Sequence, residues 1–286
     1  MDNLIKAHEE ASRGKWYYKW VQIVNKNPQY YLWKIQDMLK NGTYTITPKD
    51  YHITKIWDKT KERELWKLDY YPHRIIQWAI ALQICNSLLH NFTYHTCASI
   101  NGRGNKRVQE LMLKCIKKGE YCLKIDIHHF YQSINHKILK KMLRKKFKDK
   151  KVLSLLDMII DSYPWKVWIP IGSYLSQYLA NFYLSYFDHR LKEALRISYV
   201  VRYMDDIVIL SNSKERLRFI FKSIRGYLFH HLQLRLKSNY QVFPISRWID
   251  FVGYRYFRNY TLLRKRIKNN IKKTIRKLWY ELNENE

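Results

Sequence analysis

The chain has 286 residues, 47% of them hydrophobic, so it is long and apolar enough to bury a core and is not globally disordered. Its 53 Lys and Arg against 24 Asp and Glu give a formal net charge of +29, which favours a nucleic-acid partner first and an anionic membrane surface second. No apolar run of about 18 residues occurs and the first residues are polar, so we expect neither a membrane-spanning helix nor a secretory signal.

The cysteines follow no zinc or redox pattern. None of them forms a CxxC pair, and no histidines stand at the spacing of a zinc site. We therefore expect reduced thiols in the core of a cytosolic protein. They are Cys85, Cys97, Cys115 and Cys122.

Aromatic residues make up 16% of the chain. Aromatic faces interleaved with basic side chains suit stacked bases and phosphates. We nevertheless expect most of these rings to fill the core.

The first part of the chain is predicted to be mainly helical. Apolar residues recur at helical spacing over residues 1–40, and a further helix is predicted over 74–89, with Pro72 near its start. Between them, residues 43–56 are rich in Thr, Tyr and Ile and predict a strand or hairpin. Residues 99–106 form a basic, glycine-containing loop.

The middle of the chain alternates strands and helices. Residues 121–127 predict a short strand, and Asn135 can cap a basic amphipathic helix. A long helix is predicted to start after Gly172, with Leu175, Leu179, Phe182 and Tyr186 on one face. The runs 199–203 and 207–210 then predict a β-hairpin.

The C-terminal part continues the same mixture. Asn212 or Ser213 can start a helix, residues 248–257 predict a strand, and residues 264–282 predict another helix. Helices packed on an antiparallel sheet give an α+β fold. Without repeats or low-complexity linkers, we expect one interleaved body.

Three carboxylates stand out because they lie in apolar surroundings. Asp126 is inside the run LKIDI, and Asp205 and Asp206 are at the tip of the predicted hairpin. Buried charges are costly unless paired or metal-bound. Two Mg²⁺ ions roughly 4 Å apart on such carboxylates can activate an attacking hydroxyl and stabilise a leaving phosphate, as nucleotidyl transfer requires. A pair of aspartates is also common in simple turns.

The tetrapeptide YMDD, residues 203–206, is more specific than a pair of aspartates, with a chance occurrence on the order of one in a thousand. With it the sequence resembles reverse transcriptases over most of its length. The segment 126–134 resembles the first palm motif of the family, whose leading aspartate, here Asp126, binds metal. The aromatic residue five positions later, Tyr131, corresponds to a steric gate against the 2′-OH of ribonucleotides.

Further motifs of the family follow in order. Residues 61–65 resemble the K-x-R-x-L pattern that grips the triphosphate, 72–77 resemble a DRIVQ-type segment, and 250–254 resemble the primer-grip hairpin. Residues 234–238 resemble the motif whose lysine, here Lys237, protonates the leaving pyrophosphate.

The resemblance implies a set of site residues. The catalytic residues are Asp126, Asp205, Asp206 and Lys237, and the ligands of two Mg²⁺ ions, with Mn²⁺ as a substitute, are Asp126, Ile127, Asp205 and Asp206. The nucleotide-binding residues are Lys61, Arg63, Arg74, Tyr131, Ile171, Gly172 and Gln177. The nucleic-acid-binding residues are Arg103, Tyr203, Met204, Gly253, Tyr254, Arg264, Lys265, Arg266 and Lys268.

One departure from the general family concerns residues 171–177. Most bacterial members have QGxxxSP there, whereas this chain has IGSYLSQ, which resembles the reverse transcriptases of diversity-generating retroelements. Those enzymes copy a template-repeat RNA and misincorporate opposite adenines. An apolar Ile171 cannot hydrogen-bond the nucleotide as Gln can, so we expect weaker discrimination there.

The resemblance also implies an organisation and partners. We expect a right-hand polymerase with fingers and the start of the palm in 1–110, the palm in 111–257 and a short helical thumb in 258–286. Residues 264–277 carry eight positive charges and no negative one, which suits a template–primer backbone. A solvated helix face and a surface that docks a protein are the alternatives for this run. The partners implied are template RNA, cDNA or primer, deoxynucleoside triphosphates and a small basic helical accessory protein that is oligomeric, in a bacterial or phage-encoded cytoplasmic setting.

Two alternatives remain open from the sequence. A retron-like or defence-associated reverse transcriptase would use the same carboxylates, although the VTG-containing segment of retron enzymes is absent. A catalytically silent RNA-binding relic of the fold is the other, and the intact acidic residues argue against it.

Overall fold

The structure is a computed structural model that describes residues 1–58, 61–170 and 173–283. Its architecture is mixed α+β, as predicted. The helices are α1 (Asp2–Ser12), α2 (Lys19–Lys26), α3 (Pro28–Lys40), α4 (Ile75–Leu89), α5 (Gly104–Ile116), α6 (His136–Lys146), α7 (Lys150–Asp161), α8 (Tyr174–Tyr183), α9 (Ser185–Glu193), α10 (Lys214–Leu232) and α11 (Lys265–Asn283). The strands are β1 (Tyr51–Asp58), β2 (Lys61–Leu68), β3 (Tyr121–Asp126), β4 (Tyr199–Tyr203), β5 (Asp206–Ser211), β6 (Gln241–Pro244), β7 (Ile249–Phe251), β8 (Tyr254–Tyr256) and β9 (Thr261–Leu263).

The chain divides into two compact units. The first unit comprises Met1–Thr93, His128–Arg190 and Tyr227–Arg235, and the second comprises Tyr94–Ile127, Leu191–Gly226 and the chain from Leu236 onward. In the first unit, α4 is buried along most of its length and packs against α1 and α8. None of the described helices is long and apolar enough to cross a membrane.

The helical prediction for residues 1–40 is confirmed as three helices, α1 to α3. Gly14 adopts a positive φ of 69°, which glycine tolerates, in the turn that follows α1. Pro28 opens α3 at a position where its missing N–H costs nothing, and the Asn27 side chain accepts a hydrogen bond from the Tyr30 N–H at 3.2 Å.

The strand predicted over residues 43–56 is only partly right. The β1–β2 hairpin begins at Tyr51, which pairs with Leu68. Before it, Pro48 starts a short 3₁₀ turn, and the Asp50 carboxylate accepts hydrogen bonds from the N–H and hydroxyl of Thr47 at 2.7 and 2.9 Å. These local hydrogen bonds compete with a strand.

The single long helix expected after Gly172 is wrong. The chain forms α8 and α9, which are separated at Leu184. The Ser185 hydroxyl donates to the Phe182 carbonyl at 2.7 Å and so competes with the helical hydrogen bond there. The four residues expected on one buried face differ in burial, because Tyr186 is exposed although Phe182 is fully buried.

Several elements were not foreseen from the sequence: α5, α7, β6 and β9. The N-terminus of α7 carried a readable signal, because the Asp149 carboxylate accepts hydrogen bonds from the N–H groups of Lys151 and Val152. In the same way Asn135 caps α6 by accepting from Ile138, as predicted. The strand β6 is only four residues long and ends in proline, so it has little periodicity.

The second unit is built on a four-stranded antiparallel sheet with strand order β4-β5-β3-β6. The interior residues of β5 are all buried, as expected for a strand covered on both faces. Helix α5 packs against β4 and β8, and the core there includes Cys97, Cys115 and Cys122.

The cysteine prediction is confirmed for the core position of the thiols. All four are free and buried. Burial raises the pKa of the Cys85 thiol to about 12 and that of Cys115 to about 11, which keeps them protonated and unreactive.

Candidate active site

The register of the four-stranded sheet brings the three singled-out aspartates to one end. Asp126, the last residue of β3, pairs with Asp206, the first residue of β5. The next residue, Ile127, donates its N–H to the Asp205 carbonyl at 3.2 Å. We call Asp126, Asp205 and Asp206 the carboxylate end of the sheet.

The turn that carries Asp205 is held by a buried arginine. Met204 has a positive φ of 53°, a conformation that residues with a side chain rarely adopt. Arg202 is 1% exposed, and its Nη1 donates to the Met204 carbonyl at 3.0 Å. Its Nη2 donates to Thr96 Oγ1 at 3.4 Å, and the backbones of these two residues form a parallel bridge. Arg202 therefore positions the turn.

A second backbone segment closes the other side of Asp126. Leu236 forms an antiparallel bridge with Ile127, and Lys237 donates its backbone N–H to the Asp126 carbonyl at 2.9 Å. The Lys237 ammonium also forms a short ion pair with the Asp126 carboxylate. The lysine and the aspartate that sequence motifs singled out separately thus lie in direct contact.

Electrostatics at the carboxylate end oppose full ionisation. Burial, and then the negative charge of Asp126, raise the pKa of Asp205 to about 6. The same two causes raise the pKa of Asp206, whereas Lys124, Lys237 and Arg264 act in the opposite direction. Like charges that are held together at a sheet end in this way favour a cation between them.

In the part of the chain that the structure describes, no group of three or more His, Cys, Asp or Glu side chains is arranged to hold a metal ion. The Asp126 carboxylate pairs with the Lys237 ammonium instead. The donor set nevertheless fits Mg²⁺, which prefers carboxylate oxygens. Among the described residues, Asp126 Oδ1 is buried and finds no hydrogen-bond partner.

The strand predicted over 248–257 is only partly right, because the chain forms two short antiparallel strands there, β7 and β8, and β9 extends them to a three-stranded sheet. Gly253 has a positive φ of 86°, and a Cβ there would meet Ile267 Cδ1 at 2.9 Å, so glycine is required twice over. Arg264 donates to the Asp250 carboxylate at 2.6 Å, and Lys124 donates to the Asp250 carbonyl at 2.7 Å.

The residues expected to bind nucleic acid are spread over several elements of the second unit. Tyr203 and Met204 precede the carboxylate turn, and Gly253 and Tyr254 lie in the β7–β8 hairpin. In the first turn of α11, Lys265, Arg266 and Lys268 are exposed. Arg264 and Arg103 are engaged within the protein, since Arg103 donates to the Thr96 carbonyl at 2.8 Å.

The residues expected to bind the nucleotide belong to the first unit. Tyr131 begins a 3₁₀ turn and accepts a hydrogen bond from Ile169 N–H through its carbonyl at 2.9 Å. Gln177 is half-buried on α8. Ile171 and Gly172 lie outside the described residues, as do the side chains of Lys61 and Arg63.

Arg74 lines a cleft in the first unit with a volume of about 260 Å³. Burial lowers the pKa of its guanidinium, and its Nε has no hydrogen-bond partner among the described residues. On another wall, the Ser173 hydroxyl donates to the Gln77 amide oxygen at 2.8 Å. The Trp78 and Tyr174 rings stack at 4.3 Å with planes 7° apart.

Sequence reasoning missed Arg202, Thr96 and Lys124 as supports of the carboxylate end. Arg202 and Lys124 carried one usable signal: each is a cation inside an otherwise apolar strand. A buried cation has to find acceptors. The sequence does not say which acceptors those are, because Thr96 and Asp250 are distant in the chain.

Comparison with solved structures shows the same fold. Telomerase from Candida albicans, in complex with a TWJ fragment of telomeric RNA, superposes with a TM-score of 0.59 at 12% identity, covering 74% of this chain and 45% of that one. Apo telomerase from Candida tropicalis, truncated from its C-terminal domain, gives a TM-score of 0.59 at 12% identity, covering 85% and 60%. This chain thus spans about half the length of these telomerases.

No curated protein matches the sequence. The family described as "Reverse transcriptase (RNA-dependent DNA polymerase)" matches residues 60–255, which is more than half of the chain and includes the whole carboxylate end. The α+β fold, the arrangement of the carboxylates and this match agree, and the chain belongs to the reverse transcriptase family.

Proposed function

We propose that this chain is an active RNA-directed DNA polymerase that extends a primer on an RNA template by two-metal-ion nucleotidyl transfer. The observation that carries the proposal is the grouping of Asp126, Asp205 and Asp206 at one sheet end, with Lys237 in contact with Asp126. A protein that only binds RNA has no use for three carboxylates, two of them with raised pKa values, because they repel phosphate.

The three aspartates would hold two Mg²⁺ ions, with the backbone of Ile127 as a further ligand and Mn²⁺ as a substitute. The ions would activate the attacking 3′-hydroxyl and stabilise the charge on the leaving pyrophosphate. Lys237 has two tasks in this proposal. Its ammonium neutralises Asp126 in the free protein, and it donates a proton to the leaving pyrophosphate during turnover.

We assign the deoxynucleoside triphosphate to residues of the first unit. Lys61, Arg63 and Arg74 would neutralise its phosphates, and Tyr131 would exclude the 2′-OH of a ribonucleotide. The desolvated guanidinium of Arg74, which lines the cleft, supports an anionic ligand there. The proposal also includes Ile171, Gly172 and Gln177.

We assign template and primer to the hairpin residues around Gly253 and to α11. Residues 1–110 would be the fingers and the start of the palm, 111–257 the palm and 258–286 a short thumb. The exposed cations of the first turn of α11 suit a phosphate backbone, whereas the ion pair of Arg264 with Asp250 suits a role in fixing the start of that helix.

Within this activity, we propose that the enzyme is of the diversity-generating kind and makes adenine-mutagenised cDNA from a template-repeat RNA. The support is the segment 171–177, IGSYLSQ, with an apolar residue where other members carry Gln. This class works with a small basic accessory protein in a bacterial or phage-encoded cytoplasmic setting. The proposal includes that partner.

The test is primer extension on a defined RNA template, followed by sequencing of the cDNA. We expect DNA synthesis that depends on Mg²⁺ and is lost in Asp205→Ala/Asp206→Ala. We also expect errors concentrated opposite adenine, and fewer of them in Ile171→Gln, because an amide there can hydrogen-bond the nucleotide.

The outcomes separate the candidate functions. Accurate cDNA, with the same error rate in Ile171→Gln, would refute the diversity-generating class and favour a retron-like enzyme. An absence of cDNA, even with a cognate RNA and an accessory protein present, would refute the polymerase and leave an RNA-binding relic.

A further inference from the structure

A group of aromatic side chains in the first unit is exposed rather than buried in the core. Trp16 is 73% exposed and Trp33 is 58% exposed, whereas the neighbouring Val21 and Ile35 are fully buried and anchor α2 and α3. The helices therefore do not need these rings for packing. The exposed members are Trp16, Tyr17, Tyr18, Trp20, Tyr30 and Trp33, which we call the aromatic ribbon.

The ribbon rests on half-buried rings that fix its orientation. Trp20 stacks on Tyr71 at 5.8 Å with planes 23° apart, and Tyr71 contacts Tyr31 edge-on at 5.2 Å. Tyr31 in turn contacts Tyr30 at 5.2 Å. Because Trp20 and Tyr30 are held by neighbouring rings, little of their side-chain entropy remains to be lost when a ligand stacks on them.

The chain around the ribbon is uniformly basic. No carboxylate occurs between Glu10 and Asp37, and this stretch contains five cations. These are Arg13, Lys15, Lys19, Lys26 and Lys34.

Among these cations, Lys34 contacts a ring of the ribbon, and Lys15 lies near the positive charge of Arg74. The Lys34 ammonium lies over the Tyr30 ring, 4.4 Å from its centroid. Burial, and then the nearby positive charge of Arg74, lower the pKa of Lys15. An anion bound beside Lys15 would offset the unfavourable effect of Arg74 on its charge.

Rings and cations together distinguish between possible partners. Protein interfaces are enriched in Tyr and Trp but depleted in lysine, so the four lysines of this stretch favour a phosphate-bearing partner over a protein. A duplex hides the faces of its bases in the stack and offers nothing for exposed rings to stack on. Unpaired bases stack on aromatic faces while their phosphates pair with lysines, and this is the chemistry of single-stranded nucleic acid.

The ribbon and the cleft of the first unit share one residue, Tyr18. Tyr18 belongs to the ribbon and also lines the cleft, together with Arg74 and Lys67. A strand bound along the ribbon would therefore reach the mouth of this cleft without leaving the first unit.

We propose that the aromatic ribbon binds single-stranded RNA, with bases stacked on its exposed rings and phosphates paired with Lys15, Lys19 and Lys34. The surface acts independently of nucleotidyl transfer and lies outside every residue assigned to the carboxylate end or to the nucleotide. It gives the enzyme a hold on its unpaired template that does not depend on duplex geometry.

The test measures binding without catalysis. The full chain carrying Asp205→Ala/Asp206→Ala is titrated in EDTA, without nucleotides, against a fluorescein-labelled unstructured RNA of about 12 nucleotides. The variant Trp16→Ala/Tyr30→Ala/Trp33→Ala is expected to bind about thirtyfold more weakly or worse, since each lost stacking contact weakens binding about fivefold or more and the three losses are only partly additive. Trp16→Phe/Trp33→Phe should restore most of the affinity, because phenyl rings still stack.

Matched variants distinguish RNA binding by the ribbon from nonspecific RNA binding by other exposed rings. Phe219→Ala/Phe229→Ala removes two rings that are 56% and 50% exposed elsewhere on the molecule, and it should leave RNA binding unchanged. Lys15→Gln/Lys19→Gln should reduce the slope of log affinity against log salt by about 1.4, from two lost phosphate contacts.

Three results would overturn the proposal. One is equal binding by the ribbon variant and its parent. Another is an equal loss of affinity for single-stranded RNA and for the same sequence as a duplex. The third is a ribbon variant that binds RNA normally but changes the self-association of the protein, which would make this face a protein interface instead.

Discussion

The carboxylate end and the aromatic ribbon differ in which kind of side chain they hold in an unfavourable environment. At the carboxylate end, three like charges are largely withdrawn from water and are placed by backbone hydrogen bonds between β3, the YMDD turn and the segment at Lys237. In the ribbon, apolar rings are exposed to water on the turn before α2 and on the helices α2 and α3. One region buries charge and the other exposes apolar rings, and both arrangements are unfavourable without a ligand. In each case a ligand of the right chemistry removes that cost.

The two regions also differ in how much precision they need. Two metal ions must be held within a few tenths of an ångström, so a small displacement at the carboxylate end should stop the chemical step. Stacking tolerates shifts and sequence changes, because every base has a flat face. Substitutions at the carboxylate end should therefore lower kcat, and substitutions in the ribbon should raise the KM for template.

The largest effect is expected for Asp126→Asn. An amide cannot supply the charge that holds the metal ions, so the single-turnover rate of nucleotide addition should fall by about 10³-fold or more. Asp161→Asn is the matched control, since Asp161 is exposed and pairs with Lys140. A rate for Asp126→Asn within about tenfold of the parent would contradict the role of this residue.

Lys237→Ala should lower kcat by about 10²-fold, the usual contribution of a general acid. Lys237→Arg is the informative partner, since it keeps the charge beside Asp126 but is a poor proton donor. If Lys237→Arg restored the full rate, Lys237 would act through its charge alone.

The ribbon variant Trp16→Ala/Tyr30→Ala/Trp33→Ala sharpens the contrast between the two regions. With a primed template whose single-stranded part is long, we expect the KM for template to rise about thirtyfold while kcat is unchanged. Steady-state kinetics on templates with and without an unpaired extension would check this. A fall in kcat with an unchanged KM would place the ribbon in the chemical step and remove the distinction.

Arg202→Lys tests whether the YMDD turn needs its buried support. A lysine keeps the charge, but it cannot donate to Met204 and Thr96 in the fork geometry of a guanidinium. We expect kcat to fall about tenfold with the KM for nucleotide unchanged, since the turn and not the binding site is displaced. An equal loss of both parameters would indicate general misfolding, which circular dichroism would reveal.

The smallest expected effect is on stability: Asp205→Asn should stabilise the fold although it removes a carboxylate that the proposed activity needs. Because the pKa of Asp205 is raised from 3.8 to about 6 in the folded protein, the folded chain binds more protons than the unfolded chain between these values. The stability contributed by this group is therefore lost as pH rises from about 4 to about 6. Asp205→Asn removes that loss, and in EDTA at pH 7 it should be more stable by about 2 kcal/mol, or roughly 5 °C in Tm.

Thermal unfolding checks this expectation. The advantage of Asp205→Asn should shrink as the pH is lowered towards 4.5, and added Mg²⁺ should stabilise the parent more than the variant. An Asp205→Asn protein that is less stable than the parent in EDTA would show that the carboxylate is not held at a cost.

The carboxylate end was predictable because its sequence signals lie within single strands and one hairpin. An aspartate inside the apolar run of β3 and a pair at a hairpin tip are readable from strand alternation, and antiparallel pairing then brings them together. The Asn135 cap of α6 is equally local, since side chain and acceptor are three residues apart. Family resemblance supplied the roles of these residues, which alternation alone does not provide.

Other features could not be predicted because they depend on partners far away in the chain. The supports of Arg202 and Lys124 lie more than a hundred residues away from them. The break between α8 and α9 depends on one serine hydroxyl competing for a carbonyl. Most aromatic rings were expected to lie in the core, and the exposed rings of the ribbon were not singled out, since aromatic residues at helical spacing do not reveal which face meets the rest of the protein.

The central claim is that the carboxylate end performs metal-dependent nucleotide addition on an RNA template. Its most direct test is rapid-quench measurement of a single dTTP addition opposite adenine, with Mg²⁺ varied and Asp205→Ala/Asp206→Ala measured in parallel. We predict a rate that saturates with Mg²⁺ in the parent and is absent from the double variant at every concentration. Nucleotide addition that survives in the double variant, or that proceeds undiminished in EDTA, would contradict the account.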